Sequence, residues 1–158
     1  MAENKTNVMR ILDKKKIPYQ VYTYEIGDEI DGVSVASKIQ KSVSKVFKTL
    51  VTQGKSKQYY VFVIPVAEEL DLKAAAKSVN EKSVEMIPVK ELNAITGYIR
   101  GGCSPIGMKK QLKTVIHISA KEQDSIIVSG GKIGVQVEID PLELAQLIRA
   151  EYAAIIVS

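Results

Sequence analysis

The chain has 158 residues, 46% hydrophobic and 25% charged, proportions of an ordinary globular domain that exclude a wholly disordered chain. One cysteine, Cys103, excludes an intrachain disulfide, and one cysteine with one histidine cannot close a tetrahedral zinc site. The net charge of +4 rests mostly on lysines, grouped at Lys14, Lys15 and Lys16, at Lys38, Lys41, Lys45 and Lys48, at Lys55 and Lys57, and at Lys109, Lys110 and Lys113. Such groups suit a polyanion through counterion release, and they equally suit the plain solvation of helix faces and strand edges.

Residues 7–15 carry Val8, Ile11 and Leu12 on one stripe and predict a helix, which Pro18 ends. The β-formers of 19–24 predict a strand, the acidic stretch 25–31 a loop, and Ser34 the cap of a short helix to about Gln40. Residues 46–52 and 58–65 flank Gly54-Lys55-Ser56-Lys57, a hairpin signal. The second of these strands, YYVFVIP, is apolar on both faces and belongs at the centre of a sheet. Asp71 caps the Ala-rich helix DLKAAAKS, 84–87 predict a short strand, and 88–95 a helix stopped by Gly97. The stretch GGCSPIG, 101–107, is too rich in Gly and Pro for a regular element. Strands follow at 114–119, 125–128 and 134–139, with Ser129-Gly130-Gly131-Lys132 expected as the turn between the last two. Asp140, Pro141 and Glu143 open a final helix to about Arg149. Without regular strand–helix alternation, the expected fold is α+β with a mixed, curved sheet, in one domain over residues 1–158. MAENKTNVMR has no apolar signal core and no apolar run reaches membrane-spanning length, so a cytoplasmic setting without membrane contact is expected.

Conventional catalytic equipment is scarce. His117 lies between two isoleucines on an expected strand, a setting that fits a structural histidine, and no Walker loop, GxGxxG or nucleophile elbow occurs. Cys103 is either a thiol nucleophile in a glycine loop or a small packing residue beneath it. Lys48, in the apolar strand VFKTLV, must reach an edge or sit in a pocket beside a ligand oxygen. The two glycine-rich segments, GGCSPIG and SGGKIG, could aim backbone N–H groups at one point, as anion and carbonyl-oxygen sites do, or simply turn tightly.

The ordered set KKKIPYQVYTYE, VFKTLV, LKAAAKSV, VEMIPVKEL, TGYIRGGCSPIG, KTVIHIS and IIVSGGKIGVQVEI resembles the YbaK/EbsC family of Cys-tRNA(Pro) deacylases. The resemblance implies a mixed sheet or partial barrel ringed by helices, and removal of Cys misattached to tRNA(Pro), in trans, without a cofactor or metal. It implies Lys48 as the essential lysine and Tyr24 as a pocket tyrosine. It also implies a pocket loop from Gly101 through Gly102, Cys103 and Ser104 to Pro105, and a second loop of Ser129, Gly130 and Gly131. In the implied mechanism the substrate's own thiol attacks its ester, Lys48 holds the terminal adenosine, and the backbone at Gly101 holds the carbonyl oxygen. Cys-tRNA(Cys) is a second candidate substrate. Prolyl-tRNA synthetase is an expected partner and a monomer or weak dimer the expected state. Competing expectations are a silent tRNA- or synthetase-binding module, a Cys103 thiol hydrolase, and a deacylase for Ala- or Ser-charged tRNA.

Overall fold

The computed structural model describes residues 5–25 and 32–158. Thr6 caps α1 (Asn7–Lys14), its hydroxyl accepting from the Met9 N–H at 3.2 Å. Val8 and Leu12, a turn apart, are fully buried, as the stripe predicts. β1 (Gln20–Thr23) follows; the expected loop lies, from residue 26 on, outside the described residues. α2 (Gly32–Lys38) begins two residues before Ser34, which therefore stands within the helix rather than capping it. Packing of Val35, Ala36 and Ile39, all buried, fixes that helix.

β2 (Phe47–Gly54) and β3 (Tyr59–Pro65) form the expected antiparallel hairpin, Lys48 opposite Ile64 and Gln53 opposite Tyr59. β4 (Val84–Met86) joins β2 only from Thr52 to Gly54, while β5 (Lys113–His117) and β8 (Glu151–Ala153) add in parallel beyond β3. The order β4-β2-β3-β5-β8 puts β3 at the centre. Its odd residues, Val61 and Val63, enter the main core; its even residues, Tyr60, Phe62 and Ile64, meet Ala75 and Ala76 of α3 (Leu72–Ser78). α4 (Val89–Thr96) ends on Gly97 in the left-handed region, φ 86°. A second sheet, β1-β7-β6, covers the main core from the other side with α5 (Pro141–Ile148). No barrel closes: the two sheets touch through one parallel bridge, Val46 to Ile127.

Three further expectations change. β5 stops at His117, whose Nδ1 accepts from the Ser119 N–H at 3.1 Å and turns the chain into a 3-10 helix, Ile118–Glu122. Ser129 to Lys132 is not a turn: it is the end of β6 (Ile126–Lys132), and Ile133-Gly134 makes the turn into β7 (Val135–Ile139). Between Ser129 and Lys132 the register slips, three steps on β6 against one on β7, a bulge that Gly130 and Gly131 absorb. Third, β8 is an additional element, three residues long and too short to alternate; its pairing with β5 alone makes it a strand.

Candidate active site

The cleft follows from where β2 loses its neighbours. β6 meets β2 at Val46, where the Ile127 N–H donates to the Lys45 carbonyl at 2.9 Å, and then bulges away. β4 takes over only at Thr52, so the β2 edge between is bare. A cleft of about 340 Å³ lies along it, walled by Phe47 to Leu50, Val33 and Val35 of α2, Arg100, Gly101, Cys103, and Ser129 and Gln136 of the smaller sheet.

Of the sequence-derived residues, the structure brings Lys48, Gly101, Cys103 and Ser129 to this cleft. Lys48 is half-buried and has no ion-pair partner among the described residues. Gly101 has φ 87°, a conformation glycine adopts freely, and its N–H spends no hydrogen bond on any described residue. Gly102 donates to the Ile99 carbonyl at 3.0 Å, so its N–H is already used. Its backbone lies against Lys132 and Ile133: a Cβ there would come within 3.1 Å of the Ile133 nitrogen. That close approach locks the first glycine segment onto the second.

The other expected residues support the wall rather than face it. Ser104 is fully buried, its hydroxyl accepting from the Ile106 N–H at 3.2 Å; Pro105 is buried beside it. Gly130 and Gly131 form the bulge, and the Gly131 N–H donates to the Ser129 hydroxyl at 3.1 Å. Tyr98 donates to the Ile106 carbonyl and braces the loop from outside. Tyr24 is absent from the cleft wall: its N–H bonds the Gly134 carbonyl at 3.1 Å, and its side chain packs against the small cluster of Ala36, Ile39, Val46, Val66 and Ile127, with the Lys38 ammonium 5.9 Å from the ring centre.

Electrostatics leave the wall without a ready nucleophile. Burial pushes the Cys103 thiol up to about 12, so it stays protonated near neutral pH. His117 caps its 3-10 helix, is 7% exposed and does not line the cleft; burial lowers its pKa. Among the described residues no three His, Cys, Asp or Glu cluster to hold a metal, and no helix is long and apolar enough to cross a membrane.

Residues 30–147 match the aminoacyl-tRNA editing domain family. The chain belongs to that family. It is 45% identical over 155 residues to EbsC of Enterococcus faecalis (strain ATCC 700802 / V583), covering 98% of this chain and 94% of that protein. EbsC is named, provisionally, a Cys-tRNA(Pro)/Cys-tRNA(Cys) deacylase. A crystal structure described provisionally as a trans-editing enzyme for prolyl-tRNA synthetase superposes with TM-score 0.81 at 19% identity, covering 97% of this chain and 99% of that one. A crystal structure of a hypothetical protein gives 0.87 at 19% identity, covering 96% of this chain and all 100% of its own. At those identities the two structures establish the shared fold.

Three polar residues of the editing domain's cleft were not legible in its sequence. Arg100 is exposed at the wall beside Gly101, and Gln136 is 6% exposed yet lines the space from β7. Thr49 is the third. The bonds from Val66 N–H to Val46 and from Gly54 N–H to Gln58 put the hydrogen-bonded pairs of the hairpin at even residues. The N–H and C=O of Thr49 therefore point away from β3, onto the bare edge. Its Oγ1 is the one buried side-chain polar atom among the described residues without a partner. The available signal was a threonine beside Lys48 in an otherwise apolar strand.

Proposed function

We propose that this editing domain removes cysteine from mischarged tRNA(Pro), with Cys-tRNA(Cys) as a second substrate, and that the substrate's thiol is the nucleophile. One observation carries the reading: the cleft offers hydrogen-bond donors but, among the described residues, no activated nucleophile, since no His, Asp or Glu lines it beside the Ser129 hydroxyl. Lys48 and Gly101, whose N–H is unspent among the described residues, line it, while the only thiol, Cys103, is held protonated. A wall of that kind can position and stabilise; the attacking atom then has to arrive with the substrate.

The step balances simply. The cysteinyl sulfur forms a bond to its own carbonyl carbon as the thiol proton leaves, the carbonyl–ribose C–O bond breaks, and the ribose oxygen takes up a proton. The products are a cysteine thiolactone and free tRNA. In this reading the Gly101 N–H holds the oxyanion, and Lys48 holds the terminal adenosine and orients the ester. The apolar wall of Val33, Val35, Phe47 and Leu50 suits a small sulfur side chain better than an ammonium or carboxylate. The name of the E. faecalis relative supports the amino acid and the tRNA. The same reading puts the protein in the cytoplasm, acting in trans beside prolyl-tRNA synthetase as a monomer or weak dimer.

Deacylation assays on Cys-, Ala- and Ser-tRNA(Pro), with Lys48→Ala alongside, test the proposal. The account expects cleavage of the Cys ester, little of Ala or Ser, and loss in the variant. Equal rates on Cys and Ser would reject thiol assistance.

A further inference from the structure

Two lysine groups far apart in sequence meet at the opposite end of the β2–β3 hairpin from the cleft. Lys57 in the hairpin turn stands with Lys109, Lys110 and Lys113 around a groove of about 810 Å³, with Gln58 and Tyr59 in its wall. The register explains the meeting: Gln53 pairs with Tyr59, and Tyr60 pairs in parallel with Lys113, so the turn and the start of β5 share one end of the sheet. Among the described residues no carboxylate lines this groove. Lys109 reaches the Ala94 carbonyl at 3.4 Å, while Lys57, Lys110 and Lys113 have no ion-pair or hydrogen-bond partner for their ammonium groups among the described residues. Elsewhere, Lys5 and Lys45 are matched to Asp13 and Glu138. Four like charges gathered without counter-charge form a binding surface for a polyanion.

We infer that this groove binds the phosphate backbone of the substrate's own RNA, as a docking surface separate from the cleft; the inference rests on the function proposed above. Gln53 lies five residues along β2 from Lys48, about 17 Å at about 3.4 Å per residue. An aminoacyl ester seated at Lys48 leaves its RNA outside the cleft, with the backbone free to run over this face. α4 contributes Ala94 and Ile95 to the groove wall, and the chain leaving its end supplies Arg100 and Gly101 to the cleft. Tyr59 adds a ring face, which suits RNA better than an acidic protein surface. The cleft thus selects the amino acid, and the groove supplies sequence-independent affinity.

The test is the triple variant Lys57→Gln, Lys110→Gln and Lys113→Gln, which keeps most of each side-chain stem. Its control is Lys14→Gln, Lys15→Gln and Lys16→Gln, an equal charge loss on three exposed lysines outside the groove. Uncharged tRNA binding is followed by fluorescence anisotropy between 50 and 200 mM salt, and deacylation is followed on full tRNA and on a short aminoacylated oligonucleotide. The groove variant is expected to weaken tRNA binding about tenfold and to reduce the slope of log K against log salt by about 2 to 3, one phosphate per lysine. Its KM on full tRNA rises correspondingly, while kcat and the rate on the short substrate stay unchanged. The control keeps the wild-type slope.

An unchanged slope in the groove variant overturns the inference, as does an equal loss in the control. Loss on the short substrate also overturns it, by placing the effect in the cleft or the fold. Weakened binding of prolyl-tRNA synthetase with intact tRNA binding assigns the groove to an acidic protein and overturns it too. A wild type that binds tRNA with the groove-dependent slope yet cleaves no ester keeps the groove and rejects the deacylase reading.

Discussion

The two ends of the β2–β3 hairpin differ in the way their charge is handled. At the Lys48 end a half-buried lysine stands in a wall of valines, phenylalanine and leucine, with Arg100 exposed at the wall and the other polarity coming from uncharged groups: Ser129, Gln136, the Gly101 backbone and the bare edge at Thr49. At the Lys57 end four exposed lysines ring a groove that Tyr59, Ala94, Ile95 and Leu112 also line. A charge in a partly closed apolar cleft acts at close range and depends on geometry, whereas a solvated cluster acts over about 8 to 10 Å and fades with salt. One hairpin can thus hold a positioning site and an electrostatic docking site without either compromising the other.

That contrast is broken most severely at Lys48. Lys48→Ala is expected to lower kcat/KM on Cys-tRNA(Pro) by about 10² to 10³, the loss typical of one preorganised electrostatic contact, with the circular dichroism spectrum unchanged. Because the cleft lysine works at short range, the deficit should persist at high salt; a deficit erased by salt would make Lys48 another docking lysine. Gly102→Ala is next. A methyl group there meets the Lys132–Ile133 backbone, which cannot swing aside as a side chain can. Destabilisation of about 1 to 3 kcal/mol is expected from overpacking, read as a lowered midpoint in denaturant, together with lost activity as the two glycine segments separate. Wild-type stability would show that their contact holds nothing in place.

Cys103→Ala sharpens the comparison by changing little. Activity should stay within about threefold, since a thiol held near 12 is protonated at working pH. The pH–rate profile should rise near the substrate thiol's ordinary pKa, about 8.5, in both proteins. Stability should separate them. The folded-state pKa of Cys103 is raised, so its contribution is fully present below the unfolded thiol's pKa. That contribution is lost as pH climbs from about 9 toward 12, where the unfolded chain releases a proton that the folded chain keeps. Cys103→Ala should therefore flatten the alkaline fall in melting temperature; an unaltered alkaline limb would refute the burial of the thiol. Thr49→Val has the smallest effect. Removing a hydroxyl that bonds nothing should leave stability equal or slightly higher, by up to about 1 kcal/mol. A clear loss of stability would mean that the hydroxyl has a partner.

Local chemistry was readable in the sequence wherever neighbouring residues settled it. Asp71 and Asp140 cap their helices, Gly97 ends α4, and the apolar strand YYVFVIP is the central β3. Lys48 was conspicuous because it interrupts an apolar strand, and it does face the cleft. Readings failed where residues distant in the chain decide. Ser129 to Lys132 looks like a turn by composition, yet pairing with β7 carries the strand through it as a bulge. β8 exists only because β5 presents a free edge to it. Arg100, Gln136 and Thr49 reach the cleft by topology, from a loop, the second sheet and a bare strand edge, and no spacing within their own segments foretells that. Tyr24 shows the converse, a residue matched by resemblance whose side chain packs behind the cleft.

The most direct test gives the protein tRNA(Pro) charged with S-methylcysteine beside the same tRNA charged with cysteine. With the sulfur blocked and the rest of the ester intact, the account predicts that release of tRNA falls to the uncatalysed rate while the charged tRNA still binds. Cleavage of the methylated ester as fast as the free one would contradict it, because the attacking atom would then have to come from the protein or from water.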